Sequence, residues 1–147
     1  MSPSRTFAPL VAATLLRLTL GTMWLAHALL KVVVFTLPAT AQFFEANGLP
    51  GELVYPVVVA ELAGGAAMVL GIYARQVALL LTPILLTAAW VHLPNGWVFN
   101  AEGGGWEYPV FLFVASVIVW LLGDGIFVLR RSARFAPPAS VGEGFHP

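Results

Sequence analysis

The stretch MWLAHALLKVVVF, Met23 to Phe35, decides how the chain is read. It is apolar almost throughout, yet places a histidine and a lysine four residues apart, on one side of a helix. Extended back to about Pro9 it is long enough to cross a hydrocarbon layer about 30 Å thick, which takes roughly 20 residues of helix. Arg17 interrupts the apolar run and no small-residue cleavage site follows it, which argues against a cleaved signal peptide.

The rest of the chain has the same character. Of its 147 residues 59% are hydrophobic and 10% charged, and the mean hydropathy of +0.88 is that of a membrane protein. Seven basic side chains balance seven acidic ones, so no overall field directs the chain to nucleic acid. Cysteine is absent, which excludes disulfides, thiolate metal sites and thiol chemistry by this chain.

Apolar windows predict four spans, at about 9–35, 53–73, 76–93 and 108–129, within an all-α, integral membrane four-helix bundle occupying residues 1–134. Only Tyr73-Ala74-Arg75 separates the second span from the third, so those two form a tight antiparallel hairpin. AQFFEANG, within the first long connection, predicts a short interfacial helix ended by glycine. GDG, from Gly123, loosens or ends the fourth helix. Residues 135–147, rich in proline, glycine and small side chains, read as a flexible cytoplasmic tail.

Charge sets the orientation. Arg5, Arg75, Arg130, Arg131 and Arg134 lie on one side of four crossings, whereas Glu45, Glu52 and Glu102 lie on the other, where the connections carry no Lys or Arg. The positive-inside rule puts both termini in the cytoplasm and the two longer loops outside the plasma membrane. Tryptophans, tyrosines and phenylalanines, among them Trp90, Trp97 and Tyr108, gather near that outer face as an interfacial belt.

Ionisable groups inside spans are costly and become the candidates for function. Arg17, His27 and Lys31 fall within about 80° of arc on the first helix, with Trp24 beside them. Glu61 lies some eight residues inside the second span, at about the depth of His27, and has to meet His27, Lys31 or Arg17 or else hold a proton. It adjoins a small-residue face of Ala60, Gly64, Ala67 and Gly71 along which another helix can approach. His92 and Asn95 end the third helix, Glu107 opens the fourth, and Asp124 near its far end has Arg75 or Arg130 as expected partners. Each position has an ordinary structural explanation: snorkelling for Lys31, an ion pair for Arg17 or Glu61, helix-end chemistry for His92 and Glu107. What carries weight is their common level, since His27, Lys31, Glu61, His92 and Glu107 all come to the outer half of the bundle.

RLTLGTMWLAHALLK, AELAGGAAMVLGIYAR, VHLPNGW and GGGWEYP together resemble the successive signatures of the DoxX family of small bacterial and archaeal four-helix membrane proteins. The resemblance runs from about Leu15 to Leu122, and HAL after the histidine replaces an expected glycine-containing version. Arg17, His27, Lys31, Glu61, His92, Asn95 and Glu107 occupy the family's polar positions. Its namesakes belong to a thiosulfate:quinone oxidoreductase, and others associate with oxidative-stress enzymes. That implies membrane redox chemistry, and quinone as the implied cofactor.

A quinone needs hydrogen bonds at two oxygens and a proton source in an apolar slot. On that reading His27, Glu61 and Arg17 are the catalytic candidates, and Lys31, Trp24, His92, Asn95 and Glu107 the cofactor-binding ones. The competing reading is a non-catalytic anchor or assembly subunit of a larger complex. Metal or haem held by His27 and His92 ranks behind both, and no metal ligands are assigned. Expected partners are the lipid bilayer of a bacterial or archaeal cell, other membrane or redox subunits, and a second copy of the chain, with no nucleic acid.

Overall fold

A computed structural model describes residues 4–132, with side chains from residue 7 onward. The tail expected from residue 135, Arg134 and the side chain of Arg5 lie outside the described residues. The described chain is helical: α1 Ser4–Leu29, α2 Leu37–Ala46, α3 Val54–Leu70, α4 Ala74–Leu80, α5 Thr82–His92 and α6 Glu107–Leu122. Three helical stretches, Phe7–Val34, Gly51–Leu70 and Ala74–Asn95, are long and apolar enough to cross a membrane, and α6 is a shorter apolar helix.

α1 continues past Leu29 as a π-helical turn, Leu30–Val34, closed by the Phe35 amide on the Leu30 carbonyl at 2.9 Å. Five residues then share one turn, and such a bulge resets which side the following residues face. Thr36, at φ 67°, breaks the helix and caps α2, where Pro38 lies in the first turn and loses no helical bond. α2 ends at Gly48, whose left-handed backbone lets Leu49 reach the Phe44 carbonyl (2.9 Å). The same device ends α3: Gly71 at φ 67° sends the Ile72 amide to Ala67 at 2.8 Å, so the hairpin to α4 turns in three residues.

α4 and α5 are one span with a joint. Pro83 has no N–H for the Leu79 carbonyl, and the Thr82 hydroxyl donates to that carbonyl instead, at 2.6 Å. The exchange satisfies the orphaned oxygen while allowing a bend.

α1 packs on α3 and α6, and α4 and α5 on α6. Leu20, Trp24, Met68, Ala78, Leu81, Leu85, Leu112, Ala115 and Val119 interlock between them. The tightest crossing is α1 on α3. A methyl group built on Gly65 would stand 2.9 Å from the Gly21 carbonyl oxygen, so only glycine allows the two backbones that approach. Of the small-residue face expected on α3, Gly64 lies against Leu81, between α4 and α5, while Gly65, about 100° round the helix and outside that face, meets α1. Adjacent glycines therefore serve two neighbours.

The ends of the assembly differ. At the lower end, Gly123 (φ 99°) stops α6, so the helix is shorter than the span expected to residue 129. Residues 123–132 return across this end as a strap. Ile126 donates to the Thr14 hydroxyl (2.8 Å), Leu129 to Leu70 (3.3 Å) and Arg130 to Gly71 (3.0 Å), and Tyr73 donates back to Arg130 (2.9 Å). Asp124 accepts from the Ser132 amide and hydroxyl, both at 2.7 Å, in place of the arginine partner expected for it. At the upper end lie α2 and the loop 96–106.

Candidate functional site

The upper end is built on one ion pair. Lys31, at the start of the π turn, brings its ammonium 2.6 and 2.8 Å from the two oxygens of Glu61 on α3. Glu61 is 2% exposed and Lys31 19%. The Gly21–Gly65 approach, one to three turns below, holds α1 and α3 close enough for the lysine to span the gap. Among the described residues this is the one ion pair.

His27 lies one turn below Lys31, half-buried. Its Nδ1 is 3.0 Å from the Met23 carbonyl, which can only accept, so Nδ1 carries the proton. In the neutral ring Nε2 is then left as an acceptor. The imidazole lies nearly parallel to the Tyr108 ring, with centroids 5.9 Å apart and planes 24° apart. Thus α6 reaches α1 through a tyrosine that the sequence marked only as part of an aromatic belt. Its place directly after Glu107 was the available signal.

Trp24, one turn further down, is 2% exposed, and its indole N–H meets no acceptor among the described residues. It is an unspent donor inside the core, below the ion pair.

His92, Asn95 and Glu107 are directed differently. The Asn95 amide donates to the carbonyls of Gly103 (3.0 Å) and Gly104 (2.8 Å) and approaches His92 Nδ1 at 3.4 Å. Gly104 passes so near the His92 ring that a side chain there would touch it. Glu107 Oε1 accepts from the Phe99 amide at 3.0 Å. Trp97 and Trp106 meet edge to face, 4.4 Å between centroids. These contacts fold 96–106 into a compact flap over the start of α6.

Beneath the flap lies a groove of about 420 Å³, lined by Trp97, Phe99, Glu107 and Tyr108 at its upper part and by Phe111 and Val114 below. Tyr108 is its link to His27. Among the described residues no three His, Asp or Glu side chains gather as a metal site would require.

Arg17 does not join this group. It is ten residues below His27, about 15 Å along the helix, and 1% exposed. Its guanidinium donates to Met68 (2.7 Å), Val69 (3.2 Å), Ile126 (3.1 Å) and Phe127 (3.2 Å), fastening the strap to the end of α3. The planar fork suits four carbonyls arranged about it.

An all-helical chain with three membrane-length apolar helices and a buried charge pair at one end is a small multi-pass membrane protein. The DoxX family model matches residues 12–93, and the chain belongs to the DoxX family. It is 29% identical over 120 residues, 81% of this chain and 84% of the other, to the Bacillus subtilis protein named "Putative oxidoreductase CatD". No solved structure is a significant match.

Proposed function

We propose that this protein is the membrane subunit of a quinone-linked oxidoreductase system, and that the upper end of the helices, with His27, Lys31, Glu61, Trp24 and Tyr108, handles protons beside the quinone headgroup. It lies in the plasma membrane of a bacterial or archaeal cell with both termini cytoplasmic, so that the strap faces inward and the flap outward. The orientation rests on the arginine distribution. The redox reading rests on the family and on the name of its relative.

One observation carries the placement: Tyr108 is shared by His27 and the groove. A volume of about 420 Å³ with apolar walls and a few polar groups lies within the roughly 300–1,000 Å³ of small-molecule sites. A quinone bound there would carry two electrons and two protons between a partner protein's redox centre and the membrane pool. His27 holds or accepts a proton at Nε2, its tautomer set by Met23. Glu61 and Lys31 fix each other and balance their charges, the lysine one turn above the histidine. Tyr108, stacked on the imidazole, also lines the groove, while His92, Asn95 and Glu107 shape the flap above it.

The test is purification in mild detergent followed by mass spectrometry of everything retained, for wild type, His27→Ala and Tyr108→Ala. The expected result is a lipophilic quinone and a redox partner with wild type, with quinone lost from both variants. Wild-type protein that keeps no quinone, and binds none when it is added, rules the reading out. A partner retained in fixed stoichiometry without quinone establishes instead the anchor reading, which the purely structural contacts of Arg17 and Asn95 favour.

A further inference from the structure

On the quinone reading above, on which this inference rests, the groove under the flap has to meet a ligand with two redox forms. We infer that it binds the hydroxyl-bearing quinol in preference to the quinone, with Glu107 as the selecting group.

The occupant is lipid-soluble because of where the groove opens. Phe111 and Val114, its lower walls, are 66% and 48% exposed and belong to the side of α6 turned away from the other helices. A polar molecule has nothing to bind there, whereas a ring with an apolar tail can lie along α6 with its head under the flap.

The head is selected by hydrogen-bond sense. A quinone offers two acceptors; a quinol offers two O–H donors. Tyr108 and Trp97 can each donate, and the tyrosine hydroxyl can accept as well, so neither excludes a form. Glu107 differs, because a carboxylate only accepts. One of its oxygens takes the Phe99 amide at 3.0 Å, and the other has no partner among the described residues. Lys31 is committed to both oxygens of Glu61 and supplies no competing donor. A quinol hydroxyl would gain a charge-assisted bond from the free oxygen, and a quinone carbonyl would meet repulsion. Glu107 thus does two tasks: one oxygen anchors Phe99, and the other is the acceptor-only group in the lining of the groove.

The experiment titrates the full chain, in phosphatidylcholine nanodiscs, with decylubiquinol and separately with decylubiquinone, reading bound ligand by native mass spectrometry. Wild type is expected to hold the quinol on the order of tenfold more tightly, the ratio that one charge-assisted bond gives. Glu107→Gln keeps an oxygen for the Phe99 amide and turns the other position into a donor, so the preference should vanish or reverse. Val114→Trp, at an exposed position, fills the groove and should reduce binding of both forms to background. Equal affinity of wild type for the two forms, an unchanged preference in Glu107→Gln, or undiminished binding in Val114→Trp overturns this inference. Binding that survives Val114→Trp but is lost in His27→Ala removes the groove alone and leaves the wider quinone reading intact. If neither form binds, both fall.

Discussion

Lys31 and Glu61, thirty residues apart in sequence, form a two-pronged ion pair with contacts of 2.6 and 2.8 Å, on a carboxylate almost without exposed surface. The pair joins α1 to α3 above the Gly21–Gly65 crossing, and each charge is tolerable there only because of the other.

Removing one partner should therefore harm the fold more than removing both. Lys31→Met leaves a buried carboxylate and is expected to cost about 3 kcal/mol, whereas Lys31→Met with Glu61→Leu recovers most of that loss. Reversible unfolding in detergent, analysed as a double-mutant cycle, measures the coupling. Additive losses would show that the pair contributes nothing as a pair.

The adjacent glycines of α3 should respond unequally to a methyl group. Gly65→Ala confronts the backbone of Gly21, which has no way to yield, and should destabilise by about 1–3 kcal/mol. Gly64→Ala meets the side chain of Leu81 alone, both methyls and Cγ, which has to shift within the core but leaves the backbones in place, so its loss should be the smaller of the two.

Arg17 is expected to govern the strap and not the upper site. Arg17→Lys keeps the charge but supplies one ammonium where a fork reached four carbonyls. Amide exchange at Leu129 and Arg130 should accelerate by about tenfold or more, with exchange at Lys31 unchanged. Protection unaltered at Leu129 and Arg130 would show that the backbone bonds alone hold the strap.

Asn95 should be irreplaceable by its acid. Asn95→Asp retains the shape but loses both bonds to Gly103 and Gly104 and sets a carboxylate against their carbonyls, so it should loosen the flap at least as much as Asn95→Ala. Near-ultraviolet circular dichroism reads this through the Trp97–Trp106 pair, whose coupled signal should fade in both variants.

Much of this architecture is legible in the residues. Apolar length marks the spans, and the glycines and prolines mark their ends: Gly48, Gly71 and Pro38 stand where turn chemistry requires them. The short helix in the first connection follows from the same signals. Glu61 had to find a cation, and Lys31 was among its three possible partners. Three things were not legible. The π turn depends on packing that no residue pattern announces. Gly64 and Gly65 are chemically alike, so composition does not say which of them faces α1. The partners of Arg17 and Asp124 lie on a strap whose path is set by backbone bonds, to which side-chain patterning is blind. Polar residues at one depth did come together in part, but the His27–Tyr108 contact depends on helix rotation, which spacing within a single helix cannot supply.

The wide turn at Leu30–Val34 makes α1 a jointed rod. Excising one valine would leave four residues to wind as ordinary α-helix, roughly 400° at 100° each, close to the rotation of the five in the wide turn, so Thr36 and α2 should keep their place round the axis while His27 keeps its seat against Tyr108. The wide turn thus acts as a reserve of one residue of chain length, and a single deletion within Leu30–Val34 is absorbed there without moving the helices on either side.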